Sequence, residues 1–155
     1  MDTIVRPIGA HEYDAARHLA VAPEQQDLVA SAASSLDSMD RYPGSEPLGI
    51  FADGNLVGFM MGQLLEDETP RSPYLIWDLF VADAHQRRGI GRSAVAEAAR
   101  HAGSRGATAV IITYEPANTI ARDLYRSCGF VETGSINADG EHEMVRTIAA
   151  GPAVE

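Results

Sequence analysis

Hydrophobic and polar positions follow two different periods along the chain, and each change of period marks a predicted element. Residues 3–8 predict a first strand, while residues 11–21 and 24–40 carry apolar side chains at helical spacing. Pro23 suits the first turn of the second helix. Residues 41–47 are a loop by composition, so the chain is predicted to begin β-α-α.

The clearest hairpin signal surrounds Asp53-Gly54, because Asp-Gly favours the positive backbone angles of a tight turn. This hairpin is predicted over residues 48–67, and residues 67–73 form another loop. Residues 74–82 are almost continuously apolar, which is typical of a central strand covered on both faces.

Helices and strands alternate in the second half. A helix with a stripe of small residues is predicted over 89–106, a buried strand over 107–114 and a short helix over 118–130, where Gly129 favours an end. Two final strands flank a turn at residues 138–140. They predict a second hairpin that closes the sheet.

The resulting order, β-α-α-β-β-β-α-β-α-β-β, predicts a mixed α/β fold around a twisted sheet. A chain of 155 residues with 45% hydrophobic side chains is long and apolar enough to bury one core. We therefore expect a single domain over residues 1–150, with residues 151–155 as a frayed tail.

The charge balance limits the partners. The net charge of −10 argues against binding to nucleic acid or to an anionic membrane, since both require a cationic surface. It suits a cationic substrate, although solubility alone is the other interpretation. A single cysteine, Cys128, cannot form an internal disulfide and points to the cytoplasm. No signal peptide, membrane-spanning run or metal site is predicted.

Residues 79–92 carry the strongest chemical signal, because a buried strand there leads through a short loop into a helix. Gly89 and Gly91 let the backbone approach a ligand, and the first amides of a helix attract anions. Nearby cations are supplied by three arginines: Arg87, Arg88 and Arg92. The segment predicts a phosphate site, but it lacks both the longer Rossmann glycine pattern and the P-loop ending.

The Q-x-x-G-x-G of residues 86–91, which follows a strand exit at Val81, resembles the acyl-CoA-binding motif of the GNAT acetyltransferase superfamily. A second block, N-x-x-A-x-x-L-Y-x-x-x-G-F over residues 118–130, also matches. The separation of the blocks and the order of elements agree with that fold. The resemblance implies an N-acetyltransferase that uses acetyl-CoA.

The resemblance also implies roles for individual positions. Backbone groups of Leu79, Phe80 and Val81 would pair with the pantetheine arm of the cofactor. Asn118 would contact the cofactor near that arm, and Tyr125 would reach the thioester sulfur. The loop residues implied to bind the cofactor, chiefly through amides around the diphosphate, are Gln86, Arg87, Arg88, Gly89, Ile90, Gly91 and Arg92.

Acetyl transfer to an amine needs a general acid for the leaving thiolate and a base for the ammonium proton. Tyr125 is the expected acid. Asp78 and Glu115 are the two candidate bases, and a structural hydrogen bond is the alternative explanation for Asp78. Family members that acetylate protein N-termini place a glutamate five residues before the asparagine. Thr113 stands there, which weakens the case for that substrate class.

Two short segments resemble a bacterial spermidine/spermine acetyltransferase group: V-x-P-E-Q at residues 21–25 and Y-E-P-x-N at 114–118. A mouth for a small cationic amine is then expected, with a cation–π contribution from Trp77 or Tyr42. The expected substrate-binding residues are Glu24, Asp27, Trp77, Asp78 and Glu115. For Glu24 and Asp27, the alternative is a solvated helix start, where acidic residues are favoured anyway.

Two other functions stay open at this point. One is acetylation of an amino acid or an amine antibiotic, and the other is a non-catalytic acyl-CoA sensor. Family analogy adds the expectation of a homodimer formed through the C-terminal strands.

Overall fold

The computed structural model describes residues 2–66 and 72–148, and this part of the chain has the predicted order of elements. The strands are β1 (Thr3–Pro7), β2 (Glu46–Ala52), β3 (Asn55–Leu64), β4 (Pro73–Val81), β5 (Ala109–Tyr114), β6 (Val131–Ile136) and β7 (His142–Thr147). The α-helices are α1 (Tyr13–Arg17), α2 (Ala32–Asp37), α3 (Ile90–Ser104) and α4 (Thr119–Ser127). Most of the predicted loop at 67–73 and the tail at 151–155 lie outside the described residues.

The strands form one sheet in the order β1-β2-β3-β4-β5-β7-β6. Only β4 and β5 run parallel, because α3 connects them, and the other neighbours are antiparallel. One face of the sheet packs on α3 and α4, through residues such as Ala98 and Tyr125. The opposite face packs on α1 and α2, through Ala16 and Leu36. Helices thus cover both faces of the predicted mixed α/β sheet.

A β-bulge interrupts β4 at Trp77. Asp78 lies opposite Met61, whereas Ile76 lies opposite the next residue of β3, so one residue of β4 is left over. Because side chains alternate along a strand, an extra residue exchanges the faces of those that follow. Ile76 therefore packs on the α3–α4 side, while Phe80 packs on the α1–α2 side. The bulge turns the carboxylate of Asp78 to the α2 side as well.

Beyond the bulge, β4 and β5 separate. Their pairing extends only from residues 73–76 to residues 109–112, and residues 77–81 of β4 have no partner in β5. The separation opens a gap at the carboxyl ends of two parallel strands, which is where open α/β sheets commonly bind ligands.

The segment predicted as one helix over 24–40 is divided in the structure. A 3-10 turn (Pro23–Gln25) precedes α2, and a second 3-10 turn (Met39–Arg41) follows it. Ser31 causes the break, since its hydroxyl accepts a hydrogen bond from the Ser34 amide at 3.0 Å and starts a new helix. The intervening residues 26–31 have no regular structure, and several of them line the gap described above.

Candidate active site

Two cavities occupy the gap between β4 and β5, and they meet at Tyr125. The loop cavity, of about 300 Å³, lies beside residues 85–91. The acidic cavity, of about 410 Å³, lies beside the turn between β6 and β7. Leu79, Asn118 and Tyr125 line both. A ligand in one cavity can therefore reach a ligand in the other.

The start of α3 gives the loop cavity its chemistry. Arg87 and Gly89 have φ angles of 66° and 77°, and Gly89 caps α3 without a side-chain hydrogen bond. Among the described residues, no group accepts a hydrogen bond from the amides of Ile90, Gly91 or Arg92. Free amides at the positive end of a helix dipole form an anion site, and they fit a diphosphate.

The arginines predicted around this loop differ in position. Arg87 lines the loop cavity, whereas Arg88 and Arg92 are exposed and line neither cavity. Gln86 lines the loop cavity and also fixes the position of the loop. Its side-chain amide donates to the carbonyl of Val81 and to Gln25 Oε1, both at 2.8 Å. The loop is thereby tied to β4 and to the N-terminal segment.

The backbone of β4 presents hydrogen-bonding groups to the gap at two of the three predicted positions. The Phe80 carbonyl faces β3, since it lies 2.6 Å from the point that a Cβ on Gly58 would occupy. Neighbouring residues of a strand direct their backbone groups to opposite edges, so those of Leu79 and Val81 face the gap. Phe80 instead supplies an apolar side chain to the wall of the loop cavity.

Asn118 and Tyr125 stand where the cavities meet. The Asn118 side chain caps α4 by accepting from the Ala121 amide at 3.1 Å, which leaves its NH₂ group for a ligand. Tyr125 is only 3% exposed, and its ring packs against Tyr114 and Phe130 at centroid distances of 6.3 and 6.1 Å. Its hydroxyl bonds to no described residue. Packing therefore fixes the ring while the hydroxyl stays free.

The electrostatics of Tyr125 favour a proton donor. Burial raises the pKa of its hydroxyl well above the usual value, and the negative charge of Asp78 raises it further. The hydroxyl thus stays protonated at neutral pH. A protonated phenol at the meeting point of two cavities suits a general acid.

Asp78 is the buried carboxylate of the acidic cavity, with 4% of its surface exposed. Its Oδ2 accepts a hydrogen bond of 2.5 Å from the Ser35 hydroxyl, while its Oδ1 is buried without a partner. Burial raises the pKa of Asp78 to about 8, although the Ser35 bond lowers it and the charge of Glu141 raises it. Such a carboxyl can gain and lose a proton near neutral pH.

The acidic cavity is lined by five carboxylates and, among the described residues, by no arginine or histidine. The five are Asp27, Asp78, Glu115, Asp139 and Glu141. Trp77 also lines this cavity, so four of the five predicted substrate residues meet there. Glu24 is exposed and lines neither cavity. The arrangement suits a ligand with several positive charges.

Asp139 and Glu141 were not singled out from the sequence, which indicated only a turn at this point. The pairing of β7 with β5 brings them to the cavity, because His142 lies opposite Tyr114 at the carboxyl end of β5. The hairpin tip before His142 must then extend beyond β5. Asn137 holds that tip by accepting from the amides of Asp139 and Glu141.

Two negative findings apply to residues 2–66 and 72–148. No group of three or more His, Cys, Asp or Glu side chains is arranged there to hold a metal ion. No described helix is both long and apolar enough to cross a membrane.

Comparison with known proteins identifies the family. A curated relative, the probable spermine N(1)-acetyltransferase of Bacillus subtilis subsp. natto (strain BEST195), is 27% identical over 134 residues, covering 84% of this chain and 88% of the relative. The crystal structure of aminoglycoside acetyltransferase AAC(6')-Ib in complex with coenzyme A has a TM-score of 0.78 at 17% identity, covering 94% of this chain and 95% of that chain. Spermidine N-acetyltransferase from Vibrio cholerae, in complex with CoA and spermine, has a TM-score of 0.71 at 15% identity, with coverages of 94% and 95%.

These two structures share the fold of this chain. The sequence model of the acetyltransferase (GNAT) family matches residues 13–130. This range includes the whole of α3 and α4 and the residues Leu79, Asn118 and Tyr125, which line both cavities. The free amides at the start of α3 and the gap beside β4 fit the diphosphate and the pantetheine arm of a coenzyme A thioester. The chain therefore belongs to the acetyltransferase (GNAT) family, and acetyl-CoA is its acetyl donor.

Proposed function

We propose that the protein transfers the acetyl group of acetyl-CoA to a primary amine of a small polycation, in the first place a polyamine. The acidic cavity carries this proposal, because five carboxylates without a lining cation attract several ammonium groups at once. The cavity meets the acetyl-CoA side at Tyr125, where the amine and the thioester come together. The names of the curated relative and of the Vibrio structure support the same class of substrate.

The amine must first lose a proton, because a free alkyl amine has a pKa of about 10.4 and arrives as ammonium. We assign that proton to Oδ1 of Asp78, the buried oxygen without a partner. Glu115 lines the same cavity and is the alternative acceptor. Asp78 is preferred because burial holds its pKa at about 8, close to the pH at which a base works best.

The remaining steps transfer the acetyl group and return both catalytic side chains to their starting protonation states. The nitrogen lone pair attacks the thioester carbonyl carbon, so that a C–N bond forms and the C–S bond breaks. Tyr125 donates its hydroxyl proton to the departing sulfur, and a second proton from the nitrogen restores the tyrosine. The proton on Asp78 leaves to solvent, so each transfer releases one proton. The backbone amides of β4 that face the gap are suited to polarise the carbonyl.

We place this reaction in the cytoplasm, the reducing compartment that suits the unpaired Cys128. The proposal includes a homodimer formed through β6, whose residues are all exposed at the edge of the sheet.

The proposal is tested by measuring thiol release from acetyl-CoA with a panel of amines. The panel contains spermidine, spermine, kanamycin as an aminoglycoside, lysine as an amino acid and butylamine as a monoamine. Turnover with the polyamines at the highest kcat/KM supports the proposal. A preference for kanamycin or lysine would contradict the polyamine proposal and indicate an aminoglycoside or an amino acid as the substrate. Tight coenzyme A binding without turnover of any amine would favour the sensor function.

Substitution of Gly89 tests the acetyl-CoA side. Gly89→Ala adds a Cβ where φ is 77° and where no protein atom lies within 4 Å, so the methyl group enters the space beside the free amides. We expect the KM for acetyl-CoA to rise about tenfold, together with a stability loss of about 1 kcal/mol from the backbone strain. Steady-state kinetics and thermal unfolding measure the two effects.

Gly106→Ala is the matched control, because Gly106 has φ of 91°, also has no atom within 4 Å, and follows the far end of α3. It carries the same backbone strain away from the cavities. If both variants weaken acetyl-CoA binding equally, the start of α3 does not hold the diphosphate.

Neutralising the hairpin tip tests the amine side. The double variant Asp139→Asn/Glu141→Gln keeps the shape of the turn but removes two charges from the acidic cavity. We expect the KM for spermine to rise about tenfold at low salt, since two partly exposed pairs contribute about 0.5–1 kcal/mol each, and the difference to shrink as salt is added.

The control is Asp123→Asn/Glu97→Gln, which removes the same net charge from α3 and α4 at positions that line neither cavity. It should leave the KM for spermine unchanged. An equal rise in both double variants would mean that only the overall charge matters and that the hairpin tip makes no contact with the amine.

A further inference from the structure

Ser35 occupies an unusual place for a polar side chain. It lies on α2 between two buried apolar residues, Ala32 and Leu36, on the face that packs against the sheet. Its own exposure is 4%, equal to that of Asp78, to which its hydroxyl donates. Burying a hydroxyl at such a position costs free energy of folding unless the hydroxyl forms a hydrogen bond, and alanine would be buried there at a lower cost. We therefore attribute the serine at this position to its hydrogen bond with Asp78.

The hydrogen bond makes the two oxygens of Asp78 unequal. Oδ2 is occupied by Ser35 at 2.5 Å, whereas Oδ1 is buried without a partner in a residue that lines the acidic cavity. A proton taken up by this carboxyl then has its place on Oδ1. Thr113 Oγ1 is the other buried side-chain oxygen without a partner among the described residues, and Thr113 lines the same cavity. Two unpaired polar atoms there indicate a position for a polar ligand.

We infer that Ser35 is a positioning residue of the reaction: its hydroxyl holds Asp78 through Oδ2, so that Oδ1 keeps no protein partner and takes the proton of the amine. Ser35 itself does not touch the amine. The inference rests on the proposed function, since it assigns a role within the same site. It also gives α2 a role in the reaction, because a residue of this helix holds Asp78, the proposed general base on β4.

The groups around Asp78 determine how its protonation responds to pH. Glu141 approaches from the turn between β6 and β7, and Tyr125 approaches from α4. The other carboxylates that line the cavity come from the N-terminal segment, from the end of β5 and from the same turn: Asp27, Glu115 and Asp139. Burial disfavours the charged form of Asp78, and the charge of Glu141 does so as well. The Ser35 hydroxyl acts in the opposite direction and keeps the base usable near neutral pH.

The test compares Ser35→Ala with Ser35→Thr, which keeps a hydroxyl, and with Ser34→Ala on the exposed side of the same helix. The first measurement is kcat with saturating spermine from pH 6 to 10. The second is a carbon NMR titration of the Asp78 carboxyl, assigned with Asp78→Asn, in the full chain without substrates. The titration does not depend on turnover.

In Ser35→Ala we expect the ascending limb of kcat and the titration midpoint to move up by about half to one pH unit, the equivalent of one lost hydrogen bond. At pH 7 kcat then falls about three- to tenfold, and the loss disappears at high pH. Ser35→Thr and Ser34→Ala should keep the wild-type midpoint. These results would support the positioning role.

A wild-type midpoint in Ser35→Ala, or a loss of kcat that is equal at every pH, overturns the inference, because a merely structural contact would behave in that way. If wild-type protein acetylates no amine, the proposed function fails, and the NMR titration alone decides the role of Ser35. The two failures are therefore distinguishable.

Discussion

Tyr125→Phe is expected to lower kcat by about 10²- to 10³-fold, the contribution of one general acid. The hydroxyl that this change removes stands where the two cavities meet and bonds to no described residue, so no structural contact is lost with it. The affinity for coenzyme A should change by less than about twofold, because the group acts only as the thiolate leaves. Stopped-flow or steady-state thiol release measures kcat, and calorimetry measures the affinity.

Tyr74→Phe is the control for removal of a buried phenol. Tyr74 is fully buried in β4, and its hydroxyl donates to Glu46 at 2.6 Å, away from both cavities. This variant should lose about 1 kcal/mol of stability while kcat stays unchanged. An unchanged kcat in Tyr125→Phe would remove Tyr125 as the acid, and a water molecule would then have to protonate the thiolate.

Asp78→Asn is expected to lower kcat by at least about 10²-fold and, at the same time, to stabilise the protein at alkaline pH. The folded chain holds a proton on Asp78 up to a pKa of about 8, whereas the ordinary value is 3.8. Between these values the folded state binds more protons than the unfolded state, so stability falls as pH rises through this window. Asparagine cannot ionise, so the stability of the Asp78→Asn variant should not fall in this way.

Denaturant unfolding at pH 5 and pH 8 measures this difference. The stability of the variant relative to wild type should increase between the two pH values by at least about 2 kcal/mol. Asp37→Asn provides the control, because the Asp37 side chain is 75% exposed at the end of α2. It should alter neither kcat nor the pH dependence. If Asp78→Asn unfolds with the same pH dependence as wild type, Asp78 is not held protonated in the folded chain.

The fold and the anion site that we propose for acetyl-CoA could be predicted from the sequence because their signals are local. Asp53 and Gly54 determine a turn by their own backbone preferences, and the structure has that turn between β2 and β3. Gly89 at the start of a long helix specifies an anion site within a few residues. Each of these features needs only a short stretch of chain.

The amine side depends on contacts between distant parts of the chain, which periodicity does not report. Ser35 and Asp78 are 43 residues apart, and only the bulge at Trp77 turns the carboxylate toward α2. Asp139 and Glu141 reach the cavity through the pairing of β7 with β5. Apolar spacing predicts one helix over residues 24–40, because it does not show where a serine starts a new helix.

The acidic cavity is walled partly by two connections, residues 26–31 and residues 137–141, that contain no buried side chain. The groove proposed for acetyl-CoA is instead built on β4, α3 and α4, which contribute many residues of the main core. Most substitutions in the two connections thus cost little stability, and the exceptions are Val29, which packs against the core, and Ser31, which caps α2. Under the proposed function, evolution can change the acceptor amine through these two surface segments while the acetyl donor and the folded core stay as they are.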